Sequence, residues 1–254
     1  MTSSLRIIAA ACAALLAVAA PQAVRAQNFS PAQRSDIERV VHDYLLAHPE
    51  VLQEAMSELE KRQTAAQAEK YKVAVKEHAQ TLFSSPNQVT LGNPKGNVTF
   101  VEFFDYNCGY CKRAMDDMLT LLKDDPKLKV VLKEFPVLGP GSLEAARVAV
   151  AVRMQDPKKY LEFHTKLLGG RGAADEAHAL AVAKDIGMNM AQIQKDAKSP
   201  EVKATLDEDF KLSESLGLYG TPSYVIGSDV VVGAIGLPGL QEKINTARCG
   251  KPTC

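Results

Sequence analysis

Two cysteines, in Cys108-Gly109-Tyr110-Cys111, are the residues of this chain best placed to do chemistry. They stand between a segment that reads as a strand, Val98 to Phe104, and one that reads as a helix, Cys108 to Leu122. A helix N-terminus presents unpaired N–H groups and the positive end of the macrodipole, and so favours an anion. Cys108 is therefore the expected thiolate nucleophile, and Cys111, one turn on, resolves the mixed disulfide. Two other readings of C-x-x-C compete, half of a zinc site and a structural disulfide. Zinc needs two further thiol or imidazole ligands. None of the five His is close in sequence, and Cys249 and Cys254 stand far down the chain, so no metal ligand is assigned.

Two further signals accompany the cysteines. Gly220-Thr221-Pro222 precedes a short apolar run, Ser223 to Ile226, and a proline is tolerated as the first residue of a strand. An ordinary trans-proline turn is the alternative. Glu102 lies six residues before Cys108, inside Val101-Glu102-Phe103-Phe104. A carboxyl among Phe and Val has a raised pKa and can exchange a proton near the thiols. The alternative is an acid on an edge strand reaching solvent. Lys133, on the next strand, is a candidate ion-pair partner for Glu102, and Asp105 falls in the loop before the cysteines.

The elements that position these groups follow from apolar spacing. Val98 to Phe104, the helix after Cys108, and Leu128 to Phe135 give strand, helix, strand, which implies a parallel pair with a crossover helix. Residues 141–217 are mostly helical, broken at Pro157, Gly169–Gly172, Gly187 and Pro200. Ser223 to Ile226 and Val230 to Ala234 then read as a hairpin around Gly227-Ser228-Asp229, and Leu240 to Ala247 as a last helix. Ahead of all this, residues 27–85 are helical and polar. Ser30 caps a helix with Pro31 in its first turn and Ile37, Val40, Val41, Tyr44 and Leu45 on one face. A second helix starts at Pro49 and runs to about Phe83, with a seam of Leu52, Met56 and Leu59. Such helices cannot bury enough surface alone and need the next domain or another copy.

The first 26 residues read as a cleaved signal peptide: Arg6, an apolar run from Ile7 to Ala20, and Val24-Arg25-Ala26 at the cleavage site. An uncleaved anchor and a lipid anchor at Cys12 are the alternatives. Cleavage removes Arg6 and Arg25 and leaves a net charge of about −2, which gives no basic face for nucleic acid. Four cysteines remain, an even number that suits an oxidising compartment. A bacterial periplasm is the expected location.

Taken together, the strand, the C-x-x-C, the helical insertion and Thr221-Pro222 before a hairpin resemble the thioredoxin superfamily, and within it the DsbA branch, over most of residues 86–247. The resemblance implies an α/β thioredoxin-like fold over 86–254, with a helical insertion and a helical N-terminal extension. It implies a cis proline at Pro222 beside the cysteines, Thr221 offering backbone groups to substrate, substrate contact at Gly109 and Tyr110, and a buried acid at Glu102. It implies no cofactor. Gly-Tyr between the cysteines and Thr before the proline are similar to disulfide isomerases of the DsbC type and to ScsC proteins linked to copper tolerance. The ScsC proteins also carry an N-terminal helical extension used for trimerisation, and residues 30–83 look similar. The resemblance implies, for partners, exported proteins with thiols or disulfides, a membrane thiol donor, and further copies of this chain, a trimer before a dimer. A dithiol oxidase and a copper-buffering thiol protein are the competing functions. Cys249 and Cys254, around Gly250-Lys251-Pro252-Thr253, read as a local disulfide that staples the C-terminus, with a second redox or metal-transfer pair as the alternative.

Overall fold

The computed structural model describes residues 29–254, so the signal-peptide reading, and Cys12 with it, lies outside the described residues. These residues fall into two compact units, one ending at Glu60 and one running Lys61–Cys254.

The first unit holds helix α1 (Pro31–Ala47) and the start of α2 (Glu50–Glu77). Ser30 caps α1 through a full capping box with Gln33, and Pro31 occupies its first turn. No residue of α1 is buried, and Ile37, Val40, Val41 and Tyr44 stand exposed. In α2, Leu52 and Leu59 are also exposed, and Met56 is 71% exposed.

The second unit is built on a five-stranded sheet of order β1-β3-β2-β4-β5. Its strands are β1 (Val89–Gly92), β2 (Val98–Phe104), β3 (Leu128–Glu134), β4 (Ser223–Ile226) and β5 (Asp229–Val232). Strands β2 and β3 run parallel, joined by α4 (Gly109–Asp124), and the other pairs are antiparallel. Between β3 and β4 come α5 (Pro140–Gln155), α6 (Tyr160–Gly169), α7 (Glu176–Asp185), α8 (Met190–Asp196) and α9 (Pro200–Ser215), and α10 (Gly236–Cys249) closes the chain. Strand β1 was not legible in the sequence. It has four residues, of which Val89 and Leu91 are its large apolar ones, and it sits on the edge.

Side chains alternate across a strand, so β2 feeds two cores. Phe100 and Phe104 face α4, α10 and the insertion, together with Met115, Met118 and Leu121. Val101 and Phe103 face the other way, against Val131, Val225, Leu212 and Leu216. Val75 from the end of α2 and Leu82 from α3 (Ala79–Ser84) complete this second core. The sequence reading divides the chain at 85/86. The sheet nonetheless takes part of its cover from residues before that point, because β2 is apolar on both faces. The long second helix expected to reach Phe83 breaks at His78, which lets α3 turn its apolar side onto the sheet.

The same alternation corrects the pairing of Lys133 with Glu102. Lys133 is level with Phe103 across the β2–β3 ladder, on the face opposite Glu102. Its ammonium, fully buried, lies 3.2 Å from Asp209 and 3.4 Å from Glu208, and donates to the Thr81 carbonyl at 3.1 Å. Glu208 in turn accepts hydrogen bonds from Ser85 and Asn87. A buried cation is tolerated only when paired in this way.

Candidate active site

Cys108 is the N-cap of α4, where its sulfur accepts the N–H of Cys111 at 3.4 Å. Its thiol also donates to the Thr221 carbonyl at 3.2 Å. The Thr221–Pro222 peptide is cis, so the loop before β4 turns that carbonyl toward the sulfur. The two cysteines differ in access: Cys108 keeps 7% of its surface and Cys111 keeps none. Burial pushes the Cys111 thiol well above its ordinary range. A main-chain hydrogen bond at Asp105 opposes that, and the nearby Glu102 and Cys108 add to it. The outer sulfur can be reached by a substrate, and the inner one stays a thiol until something takes its proton.

Gly109 is exposed with open space where a side chain would stand. Tyr110 is 60% exposed, and the Arg113 guanidinium lies over its ring at 4.4 Å. The Thr221 hydroxyl is buried without a hydrogen-bond partner among the described residues.

Glu102 lies in the middle of the sheet, level with Leu132 on β3 and Tyr224 on β4. It is buried and on a central strand, not an edge one. Burial, reinforced by Asp117, raises its carboxyl to about 8. This has a consequence for stability. The unfolded chain ionises Glu102 from its ordinary value of 4.5, while the folded chain holds the proton to about 8. Stability from this group is therefore full at pH 4 and falls as pH rises through that window. Glu102→Gln, which keeps the shape and cannot ionise, is expected to unfold later than wild type by about 3 kcal/mol at pH 7. The gap closes at pH 4. Urea unfolding at the two pH values measures it, and an equal gap at both would contradict the assignment.

Asp105, expected in the loop, is a buried hub. Its carboxylate accepts the N–H groups of Asn107 at 2.7 Å, Val137 at 2.8 Å and Leu138 at 2.9 Å, and its carbonyl accepts that of Cys108 at 3.0 Å. A second buried polar set, Glu134, Tyr160, Tyr106 and His164, was not found from sequence. Tyr160 donates to Glu134 at 2.7 Å, and the two tyrosine hydroxyls lie 3.3 Å apart. Burial raises the Glu134 carboxyl above its ordinary value, opposed by the Tyr160 hydrogen bond, and lowers His164 to about 3, so the imidazole is neutral. Only the tertiary fold brings these four together, and spacing alone carries no trace of them. Cys249 and Cys254 are joined to each other with Cα atoms 6.3 Å apart, while Cys108 and Cys111 are free. Met115 and Met118, which follow the cysteines, are buried in the main core.

A mixed sheet with two cysteines at a helix N-terminus, the first slightly exposed and the second sealed, faced by a cis-proline loop, defines a thioredoxin-like thiol–disulfide oxidoreductase. The chain belongs to the DsbA-like thioredoxin domain family, whose model matches residues 99–245. Residues 33–66 match the copper resistance protein ScsC N-terminal domain. Among solved structures, a thioredoxin-like oxidoreductase from Silicibacter pomeroyi is 44% identical, with a TM-score of 0.64 over 66% of this chain and 96% of that one. A linker-deleted ScsC from Proteus mirabilis is 26% identical, with a TM-score of 0.65 over 86% of this chain and 96% of that one. A probable disulfide bond formation protein D from Bacillus cereus is 26% identical over 60% of this chain and 76% of its own length. The chain also matches Na(+)/H(+) antiporter NhaA 1 of Salinispora arenicola at 24% identity, over 63% of this chain, and spans 24% of that protein's length.

Proposed function

We propose that this chain is an exported, periplasmic disulfide isomerase or reductase that acts on proteins through Cys108 and Cys111. The observation that carries the reading is the asymmetry of the pair: Cys108 sits at the helix cap within 3.2 Å of the Thr221 carbonyl, with Cys111 sealed beneath it. Cys108 thiolate attacks a substrate disulfide, and one substrate sulfur leaves as a thiolate that takes a proton from solvent. Cys111 then attacks Cys108, releasing the second substrate sulfur as a thiol and leaving a Cys108–Cys111 disulfide. Cys111 must lose its proton in that step: Glu102, titrating at about 8, takes it in its ionised form and passes it to the departing substrate sulfur. Gly109, Tyr110, Thr221 and Pro222 form the edge on which substrate backbone lies. The reaction needs no cofactor. A membrane thiol donor returns the pair to the dithiol. Cys249–Cys254 staples the end of α10.

Tyr110 cannot carry the positive charge that a histidine in the dipeptide would bring to the thiolate, which favours a less oxidising pair. Measuring the reduction potential against glutathione tests this: a value near glutathione's or more reducing supports isomerase or reductase, and a strongly oxidising one points to a dithiol oxidase. Thr221→Val is expected to move the potential toward the oxidase side. It removes a buried hydroxyl that has no partner among the described residues, so the fold is not weakened by the change. An unmoved potential together with unmoved isomerase activity would discard the role of Thr221.

A copper-buffering role is the second reading, favoured by the match to a domain of a copper resistance protein. Cu(I) would be held by the two active-site sulfurs. Titration of the dithiol with Cu(I) against a competing chelator separates the two.

A further inference from the structure

The helical insertion is fastened to both flanks of the cysteine pair. On one side, the side chain of Asn107 pairs with the backbone of Ala174: its amide donates to the Ala174 carbonyl at 2.8 Å and its oxygen accepts the Ala174 N–H at 2.8 Å. The same amide donates to Ser142 at 2.9 Å. On the other side, the Lys112 ammonium donates to the Gly170 carbonyl at 2.6 Å. Asn107 immediately precedes Cys108, and Lys112 immediately follows Cys111. The loop between these anchors, residues 170–174, is therefore strapped along the rim of the active site.

The strap has a defined shape. A side chain at Gly170 would meet the His178 ring at 2.9 Å, and Gly172 turns the chain at φ +86. His178 also contacts the Ala173 carbonyl at 3.3 Å. Of the exposed residues of the strap, Arg171, Gly172 and Ala173, the charged one is Arg171. Exposed Lys112 and Arg113 stand beside it on the first turn of α4. Asp175, the next acid along the loop, is turned away to cap α7 through the His178 N–H at 2.8 Å. Glu176 lies beyond it in α7, its N–H donating to Glu144 at 3.4 Å. Asp116 and Asp117 stand four residues after Lys112 and Arg113 on α4, so those two cations are partly offset and Arg171 carries most of the ledge.

We propose that the 170–174 strap is part of the active site, and that Arg171, with Lys112 and Arg113, forms a basic ledge that selects polypeptide substrates carrying Asp or Glu beside the reacting cysteine. This inference rests on the thiol-exchange reading and names its substrate class. The chain's net charge near zero does not draw such substrates in by itself, so any preference arises locally at this ledge.

The test uses the full mature chain, reduced beforehand, in single turnover. Two synthetic peptides carry the same internal disulfide, one flanked by Asp and one by Lys, and neutral 2-hydroxyethyl disulfide is the reference. The protein dithiol becomes a disulfide and each substrate disulfide becomes two thiols, so no outside reductant enters. Normalised to the reference, the Asp peptide is expected to react about ten times faster than the Lys peptide at low salt, with the ratio falling as salt rises. Arg171→Glu brings the ratio to one or below, and Arg171→Lys keeps it. Asn107→Ala, which unfastens the strap and removes no charge, shrinks it. Reaction with the reference but no peptide preference in wild type, or an unchanged ratio in Arg171→Glu, overturns the ledge alone. No reaction with the neutral reference overturns the thiol-exchange reading, and the ledge with it.

Discussion

Cys108→Ser is expected to abolish reduction of a model disulfide, and Cys111→Ser to accumulate mixed disulfides instead. The two outcomes differ because the structure makes the sulfurs unequal. Cys108 has the helix N-terminus, the Cys111 N–H and residual access. Cys111 has none of that access, and burial raises its thiol. A hydroxyl at 108 leaves no nucleophile able to start exchange. A hydroxyl at 111 leaves the first step intact and removes the group that ends it. Non-reducing gels with a scrambled protein substrate read both results. Full activity in Cys108→Ser would overturn the assignment, as would an absence of trapped species in Cys111→Ser.

The full mature chain is expected to be an oligomer at micromolar concentration, a trimer before a dimer, and to become monomeric when begun at Lys61. The first unit has no buried residue in α1, and Leu52, Met56 and Leu59 are exposed at helical spacing in α2. Burying each such side chain is worth roughly 1.5–3 kcal/mol. Repeated across subunits, a handful offsets the entropy of association. The shortened chain keeps the cysteine pair and should still reduce small disulfides, but should lose the reshuffling of a scrambled protein, which benefits from several sites acting on one substrate. Light scattering decides first: a monomer mass for the full chain would remove both the assembly and the isomerase argument built on it. A trimeric chain begun at Lys61 would place the contact elsewhere.

Much of the thioredoxin-like fold was legible in the sequence because its signals are local. Cys108 and Cys111 mark a helix start, Val98 to Phe104 is a continuous apolar run, and Ser30-Pro31 punctuates a helix. Glu102 stood out because a charge in such a run has nowhere to go but the core. What escaped depends on which face a residue takes. Lys133 and Glu102 are one strand apart, and nothing local fixes the register that sets them on opposite sides. Asp105, Asn107 and Glu134 read as ordinary polar residues until loops from distant parts of the chain close over them. The boundary at 85/86 followed the Ser-Pro break, which is a turn within the unit.

The buried ammonium of Lys133 bears on how this protein can be recombined with its relatives. Thr81 supplies one of its acceptors, Ser85 and Asn87 hold the Glu208 carboxylate beside it, and Leu82 plugs the sheet nearby. A chimera spliced at 86 would keep the Asp209 and Glu208 counter-ions but lose the Thr81 acceptor and the Ser85 hydroxyl that holds Glu208, and would leave an uncovered patch around Val101 and Phe103. A splice at or before Lys61 carries the plug and the wiring across together. The piece that can be traded between such proteins is therefore shorter than the helical segment looks, and its border falls inside a continuous helix where no turn residue advertises it.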